Sequence, residues 1–275
     1  MQIHQLQNQG FVALTYPPDL RDAVAKAVDS WKKFCELPTA IKEQLPYSNN
    51  ADGVGYEMKR GIGNMADRKE NFDVTTAGEG WLRERVGKLG SPEAQVFVAD
   101  AVGLVACMKP TVLKFAKEAE TFYGLTGFVD EVDQSEDAFF VRFIHYAGER
   151  RVGEETAVAH TDQSGFTFHL FESAPGLQCL TYDGIWINMP VSAGETVIIP
   201  SMQMQLRSAG KLTALCHRVI ATDYTATHGR YSAVCFVQLK NTPKYDKEMH
   251  GRLQEKKAGF NYGMAPQDFA KLFKS

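Results

Sequence analysis

From residue 138 onward the sequence falls into short β-type runs, at 138–146, 157–161, 166–171, 177–182, 185–189, 196–199, 217–221 and 231–239. Turn signals such as Asp183-Gly184, Ser192-Ala193-Gly194 and Ala209-Gly210 separate them. Strands this short bury enough apolar surface only by lying side by side and stacking face to face, so the pattern predicts an antiparallel sandwich or barrel. The second half is therefore expected to be an all-β core.

The first half reads differently. Leu20, Val24, Ala27, Val28, Trp31, Phe34 and Leu37 recur at helical spacing, which predicts an amphipathic helix over 19–37 with Asp19 as its N-cap and Pro38 as its stop. Thr39 is placed to cap a second short helix through Leu45, and the Gly-, Asn- and Asp-rich stretch 48–55 predicts a loop. Ser91-Pro92-Glu93 opens a long apolar helical run, which Pro110 is expected to interrupt or kink before it resumes towards Tyr123. A short C-terminal helix is expected over 265–273, beyond a polar stretch at 242–257 that is the one soft linker candidate. The organisation this implies is one compact unit, with residues 1–135 as a helical region packed on a β core formed by 136–275.

Composition bounds the function classes. At 275 residues and 44% hydrophobic content the chain can build a sizeable core without a second domain. A net charge of −3, spread without blocks, argues against a nucleic-acid or membrane-surface partner. The N-terminus lacks a charged segment ahead of an apolar run, and no stretch is expected to span a membrane. Five cysteines, Cys35, Cys107, Cys179, Cys216 and Cys235, form no Cys-x-x-Cys pair and are odd in number, so reduced thiols in a cytoplasmic protein are expected. The sequence does not specify an oligomeric state.

The chemistry lies in three pieces: His160-Thr161-Asp162, then His217, then Arg230-Tyr231-Ser232. Two imidazoles and one carboxylate are the ligands that iron(II) oxygenases use on one face of the metal, leaving the opposite positions open for oxygen and a co-substrate. Residues two apart on a strand project to one side, so His160 and Asp162 can converge on one ion, and Arg230 and Ser232 on one acid. His217 must then come from a neighbouring strand. Alone, His-x-Asp is a weak signal that a surface turn produces as readily. Its order and surroundings carry the weight.

Those surroundings are Gln163-Ser164-Gly165-Phe166-Thr167-Phe168, Gly176-Leu177-Gln178, Gly184-Ile185-Trp186-Ile187 and Leu215-Cys216-His217-Arg218-Val219. Earlier landmarks are Gly10-Phe11-Val12, Leu37-Pro38 with Lys42, Gly55-Tyr56 and Asp67-Arg68-Lys69-Glu70-Asn71-Phe72. In these the chain resembles, over nearly its whole length, the non-haem iron(II), 2-oxoglutarate-dependent oxygenases of the isopenicillin N synthase-like class. Two of its departures from that pattern bear on the site. Where many members carry Asn-x-Tyr, this chain has Ile144-His145-Tyr146, so only the tyrosine carries over. Where they often have Ile-Gly-Asp, it reads Ile199-Pro200-Ser201-Met202, which is expected to remove a polar group from behind the metal site.

The resemblance implies a double-stranded β-helix, or jelly roll, with flanking helices. It implies that His160, Asp162 and His217 bind iron(II) and that Arg230 forms a two-point ion pair with the distal carboxylate of 2-oxoglutarate, a geometry that a planar guanidinium supplies and a lysine does not. Ser232 and the phenol of Tyr146 would add hydrogen bonds. The run from Tyr56 lies where related enzymes often place a substrate loop, and Arg142, four residues from Tyr146 on the same side of a regular strand, is a candidate near substrate or co-acid. His145 and His169 are expected to be hydrogen-bonded barrel residues or surface residues. The implied reaction consumes dioxygen and 2-oxoglutarate, releases succinate and carbon dioxide, and by default hydroxylates a small molecule. An iron oxidase of the same fold that does not use 2-oxoglutarate and a non-catalytic jelly-roll binding protein are the other two readings. An intact ligand set and an intact Arg230 argue against the last.

Overall fold

The computed structural model describes residues 2–48, 53–60, 68–134, 139–192, 194–208 and 210–239. The expected linker at 242–257 and C-terminal helix at 265–273 lie outside the described residues. The described helices are α1 (Gln5–Asn8), α2 (Pro18–Cys35), α3 (Thr39–Lys42), α4 (Glu79–Gly87), α5 (Pro92–Tyr123), α6 (Phe128–Asp133), α7 (Met202–Arg207) and α8 (Asp223–His228). The strands are β1 (Val12–Thr15), β2 (Gly55–Arg60), β3 (Arg68–Thr75), β4 (Phe139–Tyr146), β5 (Glu155–His160), β6 (Phe166–Glu172), β7 (Leu177–Leu180), β8 (Trp186–Asn188), β9 (Glu195–Pro200), β10 (His217–Ile220) and β11 (Arg230–Val237).

Among the described residues the pairs between these strands are all antiparallel and form two sheets. The larger runs β1-β9-β6-β11-β4-β3-β2 and the smaller β5-β10-β7-β8. Each β run expected after residue 138 appears, within a few residues of its expected bounds. The N-terminal region is less helical than expected, because β1, β2 and β3 all join the large sheet. The charged run from Tyr56 to Arg60 is strand β2, paired along its length with β3, and is not a loop.

Helices α2 and α5 cover one face of the large sheet. In α2, Leu20, Val24, Ala27, Val28, Trp31 and Phe34 are buried along one stripe, as their spacing demands. Asp19 sits in its first turn and does not cap it; Pro17 holds the N-cap position, and Pro18 supplies a backbone already set for a helix. Helix α5 is capped by Ser91, whose side chain accepts from the Ala94 amide, and it ends at Gly124 in the left-handed region with φ 69°. Pro110 lies inside this helix without ending it. Contrary to expectation, α5 is long and apolar enough to cross a membrane. Its apolar face is instead core: Phe97 meets Trp31, Phe34, Phe72 and Phe143 at ring-centroid distances of 4.8–5.2 Å.

The opposite face of the large sheet looks inward, toward the small sheet. Phe72, Val74, Val141, Phe143, Ala233 and Cys235 belong to the helix-side core, so strand alternation turns Asn71, Asp73, Arg142, Ile144, Ser232 and Val234 inward. Ile144, Tyr146, Val197, Ile199 and Val234 pack there against Ala157, Leu177, Cys179 and Val219 of the small sheet. One irregularity changes what faces inward. Ala233 pairs with Phe171 but Val234 with His169, so Leu170 has no partner on β11 and forms a bulge. Leu170 and Phe171, neighbours in sequence, both pack on the helix side, and the Tyr16 hydroxyl donates to the Leu170 carbonyl at 2.5 Å. Beyond the bulge the alternation is reversed. Glu172 therefore joins Thr167 and His169 on the inward face.

Candidate metal and co-acid site

His160 is the last residue of β5 and His217 the first of β10, and the two are direct cross-strand partners with ring centroids 4.4 Å apart. Asp162 follows in the turn after β5. One ligand-type atom from each of the three lies within 4.8 Å of the others. The Asp162 carboxylate is 3.6 Å from His160 Nε2 and 3.8 Å from His217 Nε2. Each imidazole has Nδ1 against a backbone carbonyl, Val158 O at 2.7 Å for His160 and Leu215 O at 3.2 Å for His217. A carbonyl can only accept, so Nδ1 of each ring carries a hydrogen and Nε2 is the nitrogen left to face the carboxylate, or a cation placed beside it. Two imidazole Nε2 atoms and a carboxylate oxygen facing one region, each ring oriented from behind, are the donor set that a divalent cation such as iron(II) takes.

The carboxylate is held in turn. Thr167 Oγ1 donates to Asp162 Oδ2 at 2.6 Å and lies 3.2 Å from Ser201 Oγ, while the Met202 amide donates to the Asp162 carbonyl at 2.9 Å. The sequence Ile199-Pro200-Ser201-Met202 was expected to remove one polar group from behind the site; Ser201 and Thr167 place hydroxyls there. Burial pushes the Asp162 carboxyl up, but His217, His160 and Thr167 together outweigh it and hold the group far below the usual carboxylate range. Burial pulls His217 below the ordinary imidazole value, which favours the neutral, ligating form.

A second trio with ligand chemistry, Cys35, Glu70 and His145, lies on the helix side of the sheet. There the Lys42 ammonium is 2.6 Å from Glu70 and already supplies the positive charge. Burial drives the Cys35 thiol upward, away from the thiolate a metal would need. Tyr56 belongs to this network. It is 3% exposed, its hydroxyl donates to Glu70 at 2.8 Å, and its ring meets Phe34 edge-on. Its register partner is Phe72 of the helix-side core, so the structure turns Tyr56 away from the inward face where a substrate was expected to meet it. His145, 2.7 Å from Glu70, serves the same network.

Arg230 and Ser232 stand two apart at the start of β11, buried and inward-facing. Tyr146 is the cross-strand partner of Arg230, with the guanidinium 6.0 Å from its ring centre. Arg230 Nε donates to Ala174 O at 3.1 Å, and Nη2 contacts the Glu172 carboxylate. Burial lowers the guanidinium to about 10, which leaves it a cation at neutral pH. Arg142 is inward-facing, as strand alternation requires, and binds Asp73 at two points, 2.7 and 2.6 Å. Thr167, Ser201, Glu172 and Asn71 were not singled out from sequence. For Thr167 a signal existed, a polar residue at the inward phase of the apolar run Phe166-Thr167-Phe168. For Glu172 the bulge erased it.

Residues 135–239 match the model of the 2OG-Fe(II) oxygenase superfamily. A 2-oxoglutarate-dependent dioxygenase from Didymella fabae is 28% identical, the match covering 83% of this chain and 75% of that protein. Residues 135–239 thus carry a 2OG-Fe(II) oxygenase domain. Solved structures share its fold. A putative 2OG-Fe(II) oxygenase family protein from Caulobacter crescentus superposes with TM-score 0.71 at 23% identity, covering 97% of this chain and 90% of that one. The dioxygenase for auxin oxidation in rice superposes with TM-score 0.68 at 20% identity, covering 98% and 88%. The two antiparallel sheets with flanking helices are thus the oxygenase jelly roll. The enzyme is a 2-oxoglutarate-dependent dioxygenase, an oxidoreductase whose cofactors are iron(II), 2-oxoglutarate and dioxygen.

Proposed function

We propose that this oxygenase hydroxylates a neutral, flat small molecule, with His160, Asp162 and His217 as the iron ligands and Arg230, Ser232 and Tyr146 as the anchor for the distal carboxylate of 2-oxoglutarate. The observation that carries the assignment is the convergence of the two imidazoles, each with Nδ1 tied to a backbone carbonyl, and the Asp162 carboxylate on the inward face that also holds the buried Arg230 cation. When bound, iron(II) and 2-oxoglutarate supply the oxidising chemistry. The reaction balances with one oxygen atom entering a substrate C–H bond and the other entering succinate as carbon dioxide leaves. The chain's own part is to orient and to exclude. Thr167 and the two backbone carbonyls fix the ligand atoms, Arg230 and Ser232 set one end of the co-acid, and the aliphatic wall of Ile144, Val197 and Val234 keeps the space dry.

The substrate class follows from the rest of that face. Arg142 lies in register with Val234 and so with His169 one strand further, about 10 Å away at the usual strand spacing. Its guanidinium is 5.7 Å from both the Phe140 and Phe236 rings, which stack 4.9 Å apart. Asp73 cancels its charge while leaving Nη1 without a protein partner among the described residues, and the buried Asn71 amide has neither its donor nor its acceptor paired. A neutralised guanidinium, an aromatic platform and a free amide suit a flat, uncharged molecule with an amide-like edge better than an acid. A screen of such compounds for iron- and 2-oxoglutarate-dependent succinate release tests the proposal. Release by the wild type and its loss in His217→Ala are expected; release that survives His217→Ala contradicts the ligand assignment.

A further inference from the structure

Arg230, the group assigned to receive the co-acid, is already engaged by a carboxylate of the chain itself. Its Nη2 contacts Glu172, and the two side chains are 3% and 6% exposed. Glu172 reaches this position only because the Leu170 bulge reverses the alternation of β6; it stands directly opposite Ser232 across the β6–β11 pair. The donors that would grip an incoming distal carboxylate therefore face a resident one. A buried guanidinium without a counter-ion is strongly destabilising, and so is a buried carboxylate whose partner has been taken. Glu172 answers the first cost when no co-acid is bound. A second polar group answers the other: His169 is buried, neither of its ring nitrogens has a hydrogen-bond partner, and its Nδ1 lies 3.7 Å from Glu172 Oε1.

We propose that Glu172 is an internal stand-in for the distal carboxylate of 2-oxoglutarate, pairing with Arg230 in the co-acid-free enzyme and moving to the neutral His169 ring when the co-acid binds. Glu172 is thus a positioning residue that acts through Arg230. The inference rests on the assignment of Arg230 as the co-acid anchor. Because it competes only for the guanidinium, it weakens the binding of 2-oxo acids that carry a distal carboxylate and leaves those that lack one untouched. The affinity for 2-oxoglutarate is set below what Arg230 alone would give, and nothing is gained by short 2-oxo acids when the competitor is removed.

The test is calorimetric titration of 2-oxoglutarate and of 2-oxobutyrate into the manganese(II)-loaded full-length protein, which reads binding without turnover. Glu172→Gln keeps the size of the side chain and removes the charge. It is expected to tighten 2-oxoglutarate binding by at least about tenfold and to leave 2-oxobutyrate unchanged, since a competing buried ion pair is lost only against the dicarboxylate. Glu172→Ala, measured alongside, should give the same split if the Gln variant folds poorly. Unchanged or weaker 2-oxoglutarate binding in the folded variants, or equal tightening toward both acids, overturns the proposal. Failure of the underlying assignment looks different: Arg230→Ala would then bind 2-oxoglutarate as tightly as the wild type, and the stand-in role falls with it.

Discussion

His160 and His217 stand opposite each other across β5 and β10, each with Nδ1 tied to the carbonyl two residues before it in sequence. The symmetry of this arrangement makes the geometry of the proposed iron site a property of strand pairing. A ligand lost from either strand should leave the pairing, and hence the fold, in place.

His217→Ala and Asp162→Ala should therefore each lower iron(II) affinity by more than the roughly 10- to 100-fold that loss of an outer hydrogen-bond partner costs. The thermal midpoint of the metal-free protein should stay within a few degrees of the wild type. Metal content after dialysis against iron(II), measured by elemental analysis, checks this. Uptake equal to the wild type in His217→Ala contradicts it.

Thr167 reaches the proposed metal site through its hydrogen bond to Asp162. Thr167→Val preserves shape and removes the 2.6 Å bond to the carboxylate. The expected effect is a loss of about 10- to 100-fold in metal affinity, seen by competition with a chelator. Thr167→Ser, which keeps the hydroxyl, should recover most of it.

The Glu70 network predicts the response to acid. Burial pushes the Glu70 carboxyl up, but His145, Lys42 and Tyr56 outweigh it and hold the group at about 2, against 4.5 when unperturbed. A carboxyl lowered on folding contributes stability that is complete above its unfolded value and is lost as pH falls through the folded one. That contribution is about 3 kcal/mol, disappearing between about pH 4.5 and about pH 2. Urea unfolding across this range should show the loss in the wild type, while Glu70→Gln should be less stable at neutral pH and much flatter in acid. Parallel curves for the two proteins would remove Glu70 from the account.

The parts of this fold visible in sequence and the parts hidden from it separate along physical lines. The strands after residue 138 were legible because each is a short run of β-forming residues bounded by turn residues. Strands β2 and β3 were not, since Glu57, Lys59, Arg68 and Lys69 give them a solvated, loop-like texture and their order comes from pairing with β4. The convergence of His160, Asp162 and His217 and the shared face of Arg230 and Ser232 were foreshadowed by the spacing of the two motifs. Tyr56 was misplaced because its run was read as a loop, whereas it is strand β2 and pairs Tyr56 with Phe72 of the helix-side core, and Glu172 was missed because one unpaired residue, Leu170, inverts the inward face midway along β6.

Arg142 predicts selectivity at the substrate end. Arg142→Met should leave metal and 2-oxoglutarate binding within about twofold and uncouple the two half-reactions, raising succinate formed per oxidised product, because a poorly seated substrate leaves the oxidising step without its target. An unchanged ratio would move the substrate away from the Phe140 and Phe236 platform.

The central claim is that the iron site of His160, Asp162 and His217 and the Arg230 anchor act on one molecule of 2-oxoglutarate. The most direct measurement is an anaerobic titration of the iron(II)-loaded protein with 2-oxoglutarate, followed by the visible charge-transfer absorption that a keto acid gives only when it chelates the iron. The wild type should develop this band and saturate. Arg230→Ala should require on the order of one hundredfold more 2-oxoglutarate, as expected when a charge-assisted pair worth roughly 1.5–3 kcal/mol is lost, and His217→Ala should not develop it. A band that saturates at the wild-type concentration in Arg230→Ala, or that persists in His217→Ala, would contradict the account.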